Sequence, residues 1–375
     1  CSVVVKTREG RPIKIDGNDF SKVSAGCTSS QVESSVLTLY DKQRLQFPML
    51  NNKQSSWSEV DKYVKSKINS SSKKTYVISN SLCSPSTTEV VNKFCKKYNG
   101  KHVQYDSVSY NGMLDANLDH YGIRKLPYYD FSKAKIIVSF GYDFLGSSFN
   151  HNLFNKQFTT QRVVNRDNRE MSRLYTFESN LSLTGANSDH RIPIKTSHSK
   201  IYIAELWNIL NSKIGSSRDY INYNKSKKSI INLDMLNKAA EDLIKNLGSS
   251  LVISSSNDKS TQSIVIMINE LLRSYGKTID LNKCYNIRKG DDNKMVQFVS
   301  DLEKKSVHGV IFMNSNPVYD HYLSSRIRKG LDSVPLKIST SDRIDETSVL
   351  CDVIAPDSHF LESWNDYEPI DNHFS

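Results

Sequence analysis

The sequence has 375 residues, enough for two or three domains of roughly 150 residues each. It is 38% apolar, and no apolar run approaches the roughly 18 residues needed to span a bilayer, which predicts that no part of the chain crosses a membrane. The net charge of +10 comes from lysines scattered among Asn and Ser instead of a basic stripe with interleaved aromatic residues, which excludes nucleic acid as a predicted partner.

Residues 1–55 predict a β-rich lead-in. Apolar and polar residues alternate on both sides of the turn at Glu9-Gly10 in "VVVKTREGRPIKI", a pattern that is typical of a β-hairpin. The stretch that follows has an apolar face that includes Val32 and Val36 and predicts a helix.

From Trp57 onward, strand-like and helix-like segments alternate. The sequence predicts strands at 75–79, 101–105, 136–140, 174–177, 192–195, 250–254, 309–313, 336–339 and 349–355. It predicts helices at 86–98, 260–275 and 321–330, and an exposed loop in the Asn/Ser/Lys-rich stretch 211–232. Because repeated β-then-α units form mostly parallel sheets with helices on both faces, the predicted fold class is α/β.

Two passages, "KAKIIVSFGYDFLGSS" and "SVHGVIFMNSNPVYD", each place an apolar strand before a polar loop. Their likeness predicts two Rossmann-like units with mostly parallel sheets, one inserted in the other. The first unit is expected to be discontinuous, at 56–108 and 247–355, with the second unit inserted at 109–246. Residues 356–375 are expected to be a truncated tail that leads to C-terminal domains beyond this sequence.

The strand predicted at 309–313 ends in Asn314-Ser315-Asn316-Pro317. In open α/β sheets, ligands are held in loops beyond the carboxyl ends of the strands, so this loop is a candidate binding site. A plain turn between a strand and a helix is the alternative, because Asn, Ser and Pro are also common turn residues.

Other stretches are weaker candidates. The loop around Gly141, "FGYDFLGSS", has neither G-x-G-x-x-G nor a P-loop motif, so it does not predict NAD binding or nucleotide hydrolysis. The stretch 358–369, "SHFLESWNDYEP", contains Ser, His and acidic residues but no G-x-S-x-G elbow, so a hydrolase is not predicted. Asp189 and His190 are interpreted as partners in structural hydrogen bonds.

The six cysteines stand far apart, at positions 1, 27, 83, 95, 284 and 351. None lies in C-x-x-C or another metal-ligand spacing, so this segment is not predicted to bind zinc or an iron–sulfur cluster. Cys27, in "AGCTS", is interpreted as a structural thiol, since a free cysteine often simply packs in the interior.

Several stretches resemble a known family. "REGRPIKIDGN" and "SVLTLYDKQRLQFPM" resemble the start of molybdopterin oxidoreductases of the dimethyl sulfoxide reductase family, and "SNPVYD" resembles their Asn-Pro nucleotide loop. "MSRLYTFESNLSLTGANSDHRIPIKTS", "SNPVYD" and "APDSHFLESWNDYEP" are together similar to the B subunits of alternative complex III, a respiratory quinol oxidoreductase complex.

The resemblance implies a non-catalytic scaffold domain that supports electron transfer. It implies cytochrome c and quinol-oxidising membrane subunits as partners, with no direct membrane span in this chain. It also implies iron–sulfur clusters in a C-terminal domain outside this segment, and no cofactor within it. Relatives lie on the periplasmic face of the bacterial inner membrane and are exported by a twin-arginine-type route, so the same location is expected here.

The resemblance also implies a vestigial pterin site and no catalytic residue. The residues expected in this vestigial pterin site are Ser109, Gly141, Asn314, Asn316 and Pro317. In the family, "RIPI" is usually followed by Arg-Pro-Gly-Thr-Asp, whose Asp takes hydrogen bonds from a guanine, but here the segment reads "KTSHSK". Loss of that carboxylate leaves the guanine donors unpaired, at a cost of about 1–3 kcal/mol.

An active enzyme is the alternative that the resemblance leaves open. It would bind molybdopterin guanine dinucleotide, with Ser109 as the molybdenum ligand, because catalytic relatives place a Cys, selenocysteine, Ser or Asp after the second strand of the α/β region. The corresponding stretch here is "YDSVSYNGM", in which Ser107 is the poorer candidate.

Overall fold

The computed structural model describes residues 2–68, 73–164, 169–223 and 231–375. The strands are β1 (Val3–Arg8), β2 (Arg11–Gly17), β3 (Met49–Leu50), β4 (Lys53–Gln54), β5 (Lys74–Ser79), β6 (Gly100–Gln104), β7 (Leu126–Tyr129), β8 (Ile136–Phe140), β9 (Arg173–Glu178), β10 (His190–Pro193), β11 (Ser250–Ser254), β12 (Ile279–Tyr285), β13 (Val307–Met313), β14 (Leu336–Ser339) and β15 (Val353–Ile354).

The helices alternate with the strands along the chain. They are α1 (Ser30–Ser34), α2 (Val36–Leu39), α3 (Trp57–Ile68), α4 (Pro85–Lys97), α5 (Asn111–Tyr121), α6 (His151–Thr160), α7 (Leu183–Ala186), α8 (Ser199–Ile214), α9 (Leu233–Lys245), α10 (Lys259–Leu271), α11 (Asp292–Glu303), α12 (Pro317–Asp320) and α13 (Ser324–Leu331). Within the described ranges, no helix has both the length and the apolar composition that a membrane span requires.

The chain forms two compact units, each of which is discontinuous in sequence. The inserted unit consists of Cys1–Val5, Asp16–Ser30 and Gly112–Tyr285. The enclosing unit consists of Lys6–Ile15, Gln31–Asn111 and Asn286–Ser375.

This division differs from the predicted boundaries. Residues 247–285, expected in the first unit, lie in the inserted unit because β11 pairs in parallel with β8, in register from Ser250 to Ser254. The lead-in 1–55 is shared between the two units instead of forming a separate part, and the tail 356–375 belongs to the enclosing unit.

The enclosing unit is built on a seven-stranded sheet with the order β4-β3-β15-β14-β13-β5-β6. Neighbours from β15 to β6 run parallel, and β3 and β4 add an antiparallel edge. On one face, Tyr76 and Phe312 share a core with Phe298 of α11 and Ile327 of α13. On the other face, Val60 of α3 packs in a cluster with β14 and β15. The continuous apolar run of β13 reflects burial on both sheet faces.

The inserted unit is built on a four-stranded parallel sheet with the order β10-β9-β8-β11. Val138 and Phe140 of β8 share a core with Phe177 of β9 and Trp207 of α8, all fully buried. A separate antiparallel pair is formed by β7 and β12. Together, the two sheets confirm the predicted α/β class with mostly parallel strands.

Two predicted elements are shorter than expected. The strand predicted at 349–355 is reduced to β15, because Asp345 accepts hydrogen bonds from the N–H groups of Thr347 and Ser348 and turns the preceding chain into a 3₁₀ helix at Ser348–Leu350. The helix predicted at 321–330 begins only at Ser324, as α13, and is preceded by the separate one-turn helix α12. Of the predicted loop 211–232, residues 224–230 lie outside the described part of the chain, and residues 211–214 are the end of α8.

Candidate functional site

The candidate loop at 314–317, here called the Asn-Pro loop, lies at the carboxyl end of β13 in the enclosing unit. Asn314 has a φ of +46°, a left-handed conformation that Asn adopts more readily than most residues. Its side-chain amide donates to Asp357 over 3.2 Å, its backbone N–H donates to Thr340 over 3.1 Å, and its carbonyl accepts from Asn80 over 3.1 Å. The loop is therefore bonded to residues that follow three neighbouring parallel strands.

The other polar residues of the Asn-Pro loop are bonded within the protein as well. The side-chain oxygen of Asn316 accepts from the N–H (3.1 Å) and the hydroxyl (2.6 Å) of Thr347, and its amide donates to Glu346 over 2.8 Å. The Ser315 hydroxyl donates to a β5 carbonyl over 3.1 Å. Pro317 is buried at the first position of α12, where its missing N–H costs no helical hydrogen bond.

Ser109 lies in the loop after β6 and is half-buried. Its hydroxyl donates to the carboxylate of Asp292, at the start of α11, over 2.7 Å. The same hydroxyl accepts from the N–H of Asn111 over 3.0 Å, and the Asp292 N–H donates to the Asn111 side chain over 3.3 Å. The three residues tie the β6–α5 loop to α11, whereas Ser107 is exposed.

Carboxylates dominate the charge beside the Asn-Pro loop. Asp357 and Glu346 take the amide donors of the loop, and the hydrogen bond from Asn316 lowers the pKa of Glu346. Burial raises the pKa of Asp320, although Tyr105 donates a hydrogen bond to it over 2.8 Å. The amide donors of this loop are therefore taken by carboxylates of the chain itself.

A carboxylate also occupies the N-terminus of α4, which follows β5. Asp366 of the tail accepts from the Ser86 N–H over 2.9 Å, from the Ser86 hydroxyl over 2.6 Å and from the Ser84 hydroxyl. These bonds, with that from Ser84 first, lower the pKa of Asp366 to about 2. Helix N-termini of this kind attract phosphates, and here the chain supplies the anion itself.

Sequence reasoning missed the role of Asp366. The residue lies 280 positions from Ser86, and no local pattern marks the contact. The only sequence signal is the serine-rich start of α4, "SPSTT", which is typical of a helix N-cap: the Ser84 side chain accepts from the Thr87 N–H there.

In the inserted unit, Gly141 follows β8 with a φ of +67°, and its N–H donates to the Phe177 carbonyl over 2.9 Å. In the segment 195–200, which follows β10, Lys200 donates to Asp258 over 2.9 Å. The hydrogen bond from Ser260, the largest effect, helps to hold the pKa of Asp258 well below its usual value. This carboxylate is the N-cap of α10 and is bonded within the chain.

The other candidates have structural partners. Asp189 forms a bidentate ion pair with Arg162 at 2.8 and 2.9 Å, while the His190 ring stacks on Tyr175. His359 lies 2.9 Å from the Thr38 hydroxyl.

The described cysteines are free thiols. Cys83, Cys284 and Cys351 are buried, and burial raises the pKa of Cys27, which is half-buried. Across the described ranges, no group of three or more His, Cys, Asp and Glu side chains is arranged to hold a metal ion.

Comparisons with known proteins agree on a family and a fold. The family model described as molybdopterin oxidoreductase matches residues 44–367. The structure is similar to acetylene hydratase from Pelobacter acetylenicus, with a TM-score of 0.64, 13% identity and coverage of 96% of this chain and 61% of that one. Curated protein sequences give no significant match.

A second similar structure is the formyltransferase/hydrolase complex from Methylorubrum extorquens in complex with methylofuran. Its TM-score is 0.53 at 10% identity, and the match covers 83% of this chain and 86% of that one. Neither neighbour is named as an oxidoreductase, so the shared fold does not by itself assign a redox reaction. The chain spans 61% of the length of acetylene hydratase.

Proposed function

The chain belongs to the molybdopterin oxidoreductase family, and on this premise we propose that it is a non-catalytic scaffold domain of a respiratory quinol:electron-acceptor oxidoreductase complex. The complex would be of the alternative complex III type, to whose B subunits three stretches of the sequence are similar. In this proposal, the chain holds electron-transfer partners in place and performs no chemistry of its own.

The hydrogen bond between Ser109 and Asp292 is the observation that carries the proposal. A serine binds molybdenum through a deprotonated oxygen, but the Ser109 hydroxyl donates its proton to a carboxylate 2.7 Å away. Deprotonation would remove this bond and would place two negative charges next to each other, which is unfavourable at that distance. The position therefore does not fit a metal ligand.

The surrounding loops do not fit a pterin dinucleotide either. The Asn-Pro loop is bonded to Asp357 and Glu346, and the α4 N-terminus is bonded to Asp366. At both places, a phosphate of the dinucleotide would lie close to a carboxylate of the chain. The segment after β10 has no carboxylate to accept hydrogen bonds from guanine. We therefore assign no reaction step to the cofactor in this chain.

A scaffold suits this architecture because electron transfer needs fixed distances between redox centres. The seven-stranded sheet, covered on both faces, gives the enclosing unit a rigid core. The proposed partners are cytochrome c and quinol-oxidising membrane subunits, and the proposed iron–sulfur clusters lie in segments outside this sequence. The proposed location is the periplasmic face of the bacterial inner membrane, reached by a twin-arginine-type route. These three points are supported only by the sequence resemblance.

The experiment that tests the proposal is metal and pterin analysis of the purified native complex. We expect molybdenum and oxidised pterin far below one per chain, and unchanged quinol oxidation in Ser109→Ala and in the control Ser107→Ala. Stoichiometric molybdenum that is lost in Ser109→Ala but kept in Ser107→Ala would overturn the proposal.

A working molybdopterin enzyme with Ser109 as the metal ligand is the second candidate. Its support is the position of Ser109, in the loop just beyond the carboxyl end of β6, where α/β sheets bind ligands. The same metal analysis decides between the two candidates.

A further inference from the structure

A groove lies between β6, the last strand of the seven-stranded sheet, and α11. It has a volume of about 300 Å³. We call it the edge groove, and it is lined by Tyr76, Lys101, His102, Val103, Lys294 and Gln297.

One side of the groove is an open sheet edge. β6 pairs with β5 along its full length and has no strand on its other side in the described part of the chain. The Tyr105 N–H donates towards β5, to Ser79, whereas the Gln104 carbonyl accepts from the N–H of Asp291 on the outer side. Because backbone groups alternate along a strand, the N–H and C=O of Gly100 and His102 also face outward.

The floor of the groove is apolar. Val103 and Tyr76 are at most 2% exposed and belong to the core cluster that includes Phe298. If a further strand paired with β6, an apolar side chain of that strand would pack on this floor, and the backbone of the strand would form hydrogen bonds with the open edge of β6.

The rim of the groove is positive. Lys101 has no ion pair within the described ranges, and the Lys294 side chain, 3.2 Å from Asp291, is 65% exposed. On α11, the Asp301 carboxylate accepts hydrogen bonds from Tyr76 (2.7 Å), Lys74 (3.1 Å) and Gln297 (2.9 Å), and the Lys74 ammonium balances its charge.

The neutral imidazole of His102 fits this picture. Burial first, and then Lys294 and Lys289, lower the pKa of His102 to about 4. Its Nε2 lies 2.8 Å from the Ser79 hydroxyl. At neutral pH, His102 is therefore uncharged, and Lys101 and Lys294 are the cationic side chains that line the groove.

We propose that the edge groove binds an extended acidic peptide segment of a partner protein, which adds to β6 as a further strand. An apolar side chain lies over Val103 and Tyr76, and carboxylates on the same face approach Lys101 and Lys294. A second copy of this chain is a poorer occupant, because the β6 sequence "GKHVQ" brings another lysine and no carboxylate. The inference does not depend on the scaffold proposal, since an active enzyme could carry the same edge.

The test uses the full chain and a fluorescein-labelled peptide, Glu-Thr-Val-Thr-Glu, which places both carboxylates and the valine on one face of a strand. We expect its fluorescence anisotropy to rise on binding, less so at high salt, and the charge-reversed Lys-Thr-Val-Thr-Lys to bind far more weakly. Lys101→Glu should weaken binding of the acidic peptide by about tenfold.

A matched pair tests the backbone contact. His102→Pro removes an outward N–H that no strand of the sheet uses, so it should abolish binding, whereas His102→Ala keeps this N–H and should bind at least about tenfold more tightly than His102→Pro. Circular dichroism checks that both variants fold. If His102→Pro does not fold, the binding measured for Lys101→Glu decides the outcome. Equal binding of both peptides, no anisotropy change at millimolar protein, or a dimer through this edge in sedimentation would each overturn the proposal.

Discussion

Replacing Ser109 with alanine separates a structural role from a metal-binding one. The variant loses the 2.7 Å bond to Asp292 and leaves the Asn111 N–H without its 3.0 Å acceptor. A hydrogen bond to a charged group contributes about 1.5–3 kcal/mol, and we take the low end because both side chains are half-buried. We therefore expect Ser109→Ala to lower the free energy of unfolding by about 1.5–2 kcal/mol.

The assay is urea denaturation followed by circular dichroism. The control Ser107→Ala, two residues away and exposed, should change the free energy of unfolding by less than about 0.5 kcal/mol. Asp292→Ala and the double variant complete a cycle, whose coupling energy should be about 1 kcal/mol. An unchanged stability in Ser109→Ala, or zero coupling with Asp292, would refute the structural role.

Three further substitutions test other parts of the two units. Although burial acts to raise it, hydrogen bonds hold the pKa of Asp301 below 3.8, so its contribution to stability is present above pH 3.8 and is lost as the pH falls through the lowered pKa. In urea titrations, Asp301→Asn should therefore destabilise the protein at pH 7 by about 2 kcal/mol, and this difference should shrink progressively as the pH falls below 3.8. Gly112→Ala places a Cβ 2.2 Å from the Asn257 carbonyl oxygen and should lower the free energy of unfolding by about 3 kcal/mol. An unchanged free energy of unfolding in this variant would contradict the close packing of Gly112 against Asn257. Asn316→Ala loses both hydrogen bonds from Thr347, so it should lower the free energy of unfolding by about 2 kcal/mol and with it the thermal midpoint. An unchanged thermal midpoint would show that these bonds do not hold the Asn-Pro loop in place.

The sequence predicted those strands best that are buried on both faces. The bounds of β8, β11 and β14 agree with the predicted 136–140, 250–254 and 336–339, because each is a short apolar run bounded by polar or turn residues. The sheet that β11 joins could not be read from the sequence. Strand pairing is decided by tertiary packing, and β11 lies more than 100 residues from its partner β8.

Much of the candidate site was less accessible to sequence reasoning. The Asn-Pro loop could be located, since a strand followed by turn residues is a local pattern. The long-range contacts elsewhere in the candidate site could not be located, because Ser109 meets Asp292 across 183 positions and Ser86 meets Asp366 across 280. Each contact joins segments that are distant in the sequence, and only the folded topology brings them together.

The carboxylate of Asp366 at the start of α4 has a consequence for how the enclosing unit matures. An anion that is part of the chain acts at an effective concentration that the chain sets, whatever the concentration of phosphates in solution. The first turn of α4 can then be completed during folding itself, by a group that belongs to the polypeptide. If the chain is the scaffold proposed above, the completion of this helix would be paced by protein synthesis.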